Sequence, residues 1–238
     1  MEFNPAEEIF GTIRVRSTDE PINYYPVQIS KFSIGIVAKA GLNIIDDLEL
    51  LSPNGPLRMR LMSVETDGVP DGNCRYHIML TELNEDLEQI YSNSERFQQF
   101  QGSHSNFQFA RFETTTSSIL SCKTFGSTNP YRFKSVNASK SGLLIVSLTK
   151  QHVPFRINTI LEFILEPNSS WLNRSIKGVA KVVHERATRG ASKLEKNQYF
   201  GIELKDLQGD GELVWRQSVT KLEQTIMERF LKEVDRSA

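Results

Sequence analysis

The sequence predicts a mainly β protein: two small all-β domains in tandem, followed by one long C-terminal α-helix. Three observations predict it. Apolar and polar residues alternate over several short segments bounded by turn residues, the order of those segments occurs twice, and apolar residues near the C-terminus recur at helical spacing. The 238 residues suffice for two small domains, and 39% hydrophobic with 24% charged residues is an ordinary globular balance.

The elements follow in chain order. GTIRVRS at 11–17 alternates as a strand, with Arg14 and Arg16 on one face. Leu57, Met59 and Leu61 alternate with Arg58 and Arg60, and Tyr76, Ile78 and Leu80 repeat the pattern. NEDLEQIY at 84–91 reads as a short helix, with Asn84 as its N-cap. GLLIVSL at 142–148 is rich in β-formers. Leu161, Phe163 and Leu165 alternate around Glu162, and Gly178, Ala180 and Val182 alternate with Lys177, Val179, Lys181 and Val183. Ser52-Pro53-Asn54-Gly55, Pro70-Asp71-Gly72-Asn73 and Glu166-Pro167-Asn168 punctuate these runs as turns. Val219, Leu222, Ile226, Phe230 and Val234, spaced 3, 4, 4 and 4, form the apolar stripe of the final helix.

The repeat sets the domain plan. VQISKFSIGIV at 27–37 precedes DLELLS, PLRMRLMSVE, YHIMLTEL and the short helix, while VNASKSGLLIV at 136–146 precedes ILEFILE, IKGVAKVV, YFGIELKDL and the long one. The offset is 139 − 30 = 109 at Ser30/Ser139 and grows to 207 − 83 = 124 at Leu83/Leu207, so the second copy carries a longer loop, expected over 185–197. The domains are read as 1–92 and 108–238, joined by a polar linker with interleaved aromatics over 93–107. Curling each sheet into a barrel removes its open edges.

One motif carries chemistry. Asn137-Ala138-Ser139-Lys140-Ser141-Gly142 has the form [D/N]-x-S-x-x-G, in a turn just before an apolar strand. With the strand order after it and the terminal helix, this turn resembles the PilZ family, and with the first copy the whole chain resembles a two-domain, YcgR-like PilZ protein. The resemblance implies two tandem six-stranded β-barrels and a cyclic di-GMP ligand, held by Arg111, Asn137, Ser139 and Gly142. Arg111 matches the second arginine of the family's R-x-x-x-R element, 137 − 111 = 26 residues before the turn; Phe107 stands at the first.

That ligand carries two phosphates and two guanines. An arginine fork grips a phosphate or pairs with guanine O6 and N7. Asn137 and Ser139 offer hydrogen bonds to a guanine edge, and Gly142 permits close backbone approach or a positive φ. The lost arginine costs on the order of 1–3 kcal/mol. Arg132 and Lys134, two apart on one strand, and Arg96 in the linker are cations available to offset it, while Phe107, Phe109 or Phe112 can stack on a base. In the first copy Gln28, Ser30 and Ser33 occupy the motif positions, so that domain is read as a non-binding partner.

Plainer readings stand beside these. Asn137, Ser139 and Gly142 also serve as turn residues, Arg111 as a surface cation pairing with Glu113, and the phenylalanines as barrel core. Arg14, Arg16, Arg58 and Arg60 read as solvated strand faces, with a joint anionic-ligand patch as the alternative. His77, His104, His152 and His184 lack ligand spacing, and neither Cys74 nor Cys122 has a C-x-x-C partner, so no metal is expected. No nucleophile elbow or phosphate-cradling loop is present, and no enzyme activity is expected. No apolar run approaches a membrane span and the N-terminus is acidic, so the expected place is the cytoplasm. Net charge of 28 − 29 = −1 counts against nucleic-acid binding, although a barrel binding single strands through residues 97–112 is a third reading. The expected role is a non-enzymatic bacterial signalling protein, a receptor controlling motility, adhesion or exopolysaccharide by domain reorientation, with a protein partner in motility, pilus or regulatory machinery. The alternative is a protein–protein adaptor that has lost the nucleotide.

Overall fold

The computed structural model describes residues 11–16, 18, 20–39, 42, 47–52, 55–66, 73–92, 108–109, 111–114, 116–149, 151–168, 170–189 and 196–235. The chain divides into two compact units, residues 1–110 with 226–238, and residues 111–225.

In the first unit the alternating segments become β1 (Gly11–Val15), β2 (Glu20–Ile29), β3 (Ser33–Lys39), β4 (Asp47–Ser52), β5 (Gly55–Glu65) and β6 (Asn73–Leu80), followed by helix α1 (Leu87–Ser92) and the short β7 (Gln108–Phe109). The strands are ordered β1-β4-β5-β6-β3-β2, and β2 returns to β1, closing a six-stranded antiparallel barrel. β7 adds to β2 in parallel, Gln28 opposite Gln108. Period-2 alternation puts Ile13, Leu48, Leu50, Leu61 and Ile78 inside, all fully buried.

In the second unit β8 (Phe112–Glu113) precedes β9 (Ile119–Thr124), β10 (Tyr131–Ser139), β11 (Gly142–Ser147), β12 (Ile160–Leu165), β13 (Ile176–Arg189), β14 (Lys196–Leu207) and the first part of helix α2 (Gly211–Asp235), whose residues from Ile226 onward belong to the first unit. The order β11-β14-β13-β12-β9-β10 closes through β10–β11, again a six-stranded antiparallel barrel, with β8 added antiparallel to β10. The ring of Phe155 packs between Phe133 and Phe200, with centroids at 5.8 and 5.7 Å, filling the interior with aromatic surface. The thiol of Cys122, buried in the same interior, is pushed up to about 12 by desolvation.

The repeat read from the sequence is a repeat of topology: β1 to β6 pair in the same order as β9 to β14. The register slips between Pro26 and Gln28 in one copy and between Ser135 and Asn137 in the other, at 135 − 26 = 109 and 137 − 28 = 109. A β-bulge is therefore kept at the same place in both barrels.

Three expectations are corrected. Helix α1 begins at Leu87 and its cap is Asp86, whose Oδ1 accepts the Gln89 N–H at 3.1 Å; Asn84 lies too far ahead of the first turn. Within the expected loop 185–197, residues 185–189 and 196–197 are ladder, with Ala187 opposite Gln198 and Arg189 opposite Lys196, because β13 and β14 run on past the positions where their counterparts in the first barrel stop, while 190–195 lie outside the described residues. The stripe of α2 drifts: Val219 and Leu222 are buried, but Ile226 and Phe230 are half-exposed while Met227 is fully buried. Steps of four residues advance about 40° beyond a full turn at 3.6 residues per turn, so a 4-4-4 stripe rotates off one face.

Candidate hairpin site at the second barrel

The motif forms the hairpin between β10 and β11. Ser139 faces Gly142 across a two-residue turn of Lys140 and Ser141. The Ser139 hydroxyl donates to the Gly142 carbonyl at 3.4 Å and lies 3.3 Å from the Ser141 hydroxyl, so it braces the turn from within. From α2, the Trp215 indole N–H donates to the Lys140 carbonyl at 3.0 Å and holds the turn from outside. Trp215 itself packs edge-on against Trp171, centroids 6.0 Å apart. Gly142 has no positive φ; of the two roles open to it, close approach is the one observed. A Cβ at Gly142 would run into the Ile202 carbonyl oxygen on β14.

The bulge decides which way the motif points. Before it, Phe133 and Ser135 are buried while Arg132 and Lys134 are exposed. Strict alternation would then turn Asn137 inward. The slip at Val136 resets the phase, so Ala138 is buried opposite Leu143, and Asn137 shares the outer face with Lys134.

β8 completes the face. Glu113 lies opposite Asn137, and Phe112, 4% exposed, lies opposite Ala138 and enters the core. Arg111 is the residue just before β8, one step past the last pair of that register. Arg111 is exposed, and among the described residues it makes no ion pair, with Glu113 or with any other carboxylate. The Asn137 amide likewise makes no hydrogen bond among the described residues. Asn137, Ser139 and Gly142 thus lie on paired positions of β10 and β11, with Arg111 directly ahead of β8 in the chain, and among the described residues the Arg111 guanidinium and the Asn137 amide are uncommitted. Arg132 is drawn to Glu166 at 3.7 Å, and Lys134 is exposed. Arg96 and Phe107 lie outside the described residues, as do the side chains of β7, Phe109 among them.

The outer row continues from Asn137 through Leu144 and Gly201 to His184. Gly201 leaves a patch without side chain between Leu144 and His184. Leu144, Gly201 and Trp215 were not singled out from the sequence: strand neighbours are invisible before register is known. Trp215 lies ahead of the stripe that marked the helix.

The first barrel spends its motif positions differently. Ser30 and Ser33 face each other across the β2–β3 turn with hydroxyls 2.7 Å apart, and Ser33 Oγ reaches His77 Nε2 at 3.2 Å. Burial lowers the His77 pKa below its ordinary 6.5, and the Glu65 carboxylate opposes that in part. The Gln28 side chain lies over Gly35, where a Cβ would collide with it.

No group of His, Cys, Asp and Glu among the described residues is arranged to hold a metal ion. No helix among them is long and apolar enough to cross a membrane.

No family model matches the sequence, and no curated protein matches it. Solved structures do. The PilZ domain with c-di-GMP of YcgR from Escherichia coli aligns at 12% identity and TM-score 0.40, over 50% of this chain and 93% of that one. The Bacillus subtilis inhibitor of motility MotI/DgrA aligns at 13% identity and TM-score 0.39, over 92% and 98%. The K. pneumonia MrkH–c-di-GMP complex aligns at 13% identity and TM-score 0.37, over 96% and 90%.

Proposed function

We propose that the chain is a non-enzymatic signalling protein of PilZ type that binds cyclic di-GMP at the β10–β11 hairpin of its second barrel. The observation that carries the reading is, among the described residues, an uncommitted guanidinium, Arg111, directly ahead of β8 and an uncommitted amide, Asn137, on the strand that β8 pairs with, beside a turn of the form N-x-S-x-x-G. In this reading Arg111 takes a phosphate or the O6/N7 edge of a guanine. Asn137 pairs with a guanine edge, Ser139 and Gly142 set the turn, and Lys134 adds positive charge. Glu113 accepts from the N–H edge of the base.

Arg111 and β8 follow directly on the segment that joins residues 1–92 to 108–238, the two domains of this reading. A ligand that holds Arg111 against the hairpin has a differential contact with one arrangement of that segment, which is what shifts a conformational equilibrium. The output, by the family the motif resembles, is control of motility, adhesion or exopolysaccharide through a protein partner, in the cytoplasm.

Titration calorimetry of the full chain with cyclic di-GMP tests this. Saturable heat is expected, with a Kd at or below about 100 μM, and Arg111→Ala or Asn137→Ala should weaken it at least about tenfold, the cost of one bidentate contact. No heat at about 100 μM overturns the reading.

Phe107 in the place of the first family arginine favours a second reading, an adaptor that keeps the barrels and binds a protein without nucleotide. Full function of Arg111→Ala in cells, with a partner bound equally with and without nucleotide, selects it.

A further inference from the structure

The outer face of β1, β4 and β5 in the first barrel carries charge in an ordered way. Ile13, Val15, Leu48, Leu50, Met59 and Leu61 point inward and are buried, so Arg14, Arg16, Asp47, Glu49, Arg58 and Arg60 point out. Glu49 lies opposite both Arg14 and Arg58, and Asp47 lies opposite Arg60. The Arg16 N–H donates to the Asp47 carbonyl at 2.9 Å, which sets Arg16 on the other side of Asp47.

At one end of this face a groove of about 210 Å³ opens between Arg16, Arg58, Arg60, Asp47 and Thr81. Asp47 binds Arg60 at 3.1 Å. Arg16 and Arg58 have no carboxylate within 4 Å among the described residues. Within the groove three guanidinium groups face one carboxylate, and over the whole face four arginines outnumber Asp47 and Glu49 by two, on a chain whose net charge is −1. A saturated cross-strand ladder would pair each arginine and leave no concavity. Like charges set side by side repel unless an anion lies between them. Planar guanidinium forks suit phosphoryl oxygens, and a phosphomonoester dianion matches the excess. The groove has room for a phosphoryl group and the first atoms bonded to it.

We propose that this groove, formed by Arg16, Arg58, Arg60 and Thr81 around Asp47, binds the phosphoryl group of a small, freely diffusing phosphomonoester. Two arginines grip oxygens directly, Thr81 turns its hydroxyl from the Arg58 carbonyl (3.4 Å) to the ligand, and Asp47 holds Arg60 in place. The site is independent of the hairpin in the second barrel and stands or falls without it.

The test uses the full chain, ¹⁵N-labelled and titrated with inorganic phosphate and with phenyl phosphate at constant ionic strength. Sodium chloride is the control, and phosphatidylcholine vesicles carrying phosphatidic acid are a separate arm. Saturable shifts of the Leu48, Met59 and Thr81 amides are expected. Arg58→Gln should weaken binding about tenfold, the loss of one charge-assisted contact. Asp47→Asn should tighten it several-fold, because a carboxylate facing the anion is gone and Arg60 is released. Arg174→Gln, in an exposed pair with Asp210, should change nothing. Shifts reproduced by chloride, an unaltered titration in folded Arg58→Gln, no gain in Asp47→Asn, or binding confined to vesicles each overturn the proposal.

Discussion

Gly142 occupies a position where one methyl group decides whether a barrel closes. The β11 backbone approaches β14 so closely that a Cβ would occupy the space of the Ile202 carbonyl, and this oxygen belongs to the ladder and has nowhere to go. Gly142→Ala should therefore destabilise the second barrel by about 1–3 kcal/mol, the usual cost of overpacking. A fall of the urea midpoint with unchanged slope would show it, and an unchanged midpoint would refute it. The first barrel shows the same position solved with other atoms. Ser33 is fully buried there, and its hydroxyl is satisfied by Ser30 and His77. Glycine is thus required by the local approach of two strands rather than by the motif as such.

At the scale of elements, the bulge in β10 and the start of α2 build the candidate face together. The bulge turns Asn137 outward, and α2 begins at Gly211, early enough for Trp215 to reach the turn. Removing the indole donor should leave the Lys140 carbonyl without that partner and loosen the turn. Trp215→Phe is expected to cost about 1 kcal/mol of stability, the typical worth of one hydrogen bond, and to weaken cyclic di-GMP binding although Trp215 touches no ligand in the proposed site. Rapid hydrogen exchange of the amides around residues 139–142 in the variant is the check, and protection equal to wild type would contradict it.

For the whole molecule, two barrels of one topology differ at a position that titrates in the first. Position 77 is a half-buried histidine in the first, whereas its counterpart at 77 + 124 = 201 in the second is glycine. Burial lowers the folded pKa of His77, so below about pH 6.5 the unfolded chain takes up a proton that the folded barrel resists. Stability of the first barrel is then full above that pH and falls as pH drops through the ordinary value toward the lowered one. Both tryptophans of the chain, Trp171 and Trp215, lie in the second unit, so their fluorescence reports that barrel. Between pH 7.5 and 5.5, circular dichroism should show an earlier urea transition that tryptophan fluorescence does not share. His77→Gln should abolish its pH dependence. A single transition moving equally in both probes would contradict this.

Strand content, the twofold repeat, the terminal helix and the N-x-S-x-x-G turn were legible in the residues, because alternation, turn chemistry and helical spacing are local properties written along the chain. The segment after Arg111 and the turn were each visible, but not the β8–β10 register between them, which pairs Phe112 with Ala138, 26 residues apart. Period 2 read straight through β10 would have turned Asn137 inward, and only the bulge, a tertiary decision about closing the barrel, reverses it. The arginines of β1 and β5 were likewise plain as strand faces. That three of them line one groove follows from β4 lying between β1 and β5, an order set by closure of the sheet and by no local preference. Sequence fixes what each residue can do through short-range sterics and hydrogen bonding, and long-range strand order and register choose which of them act together.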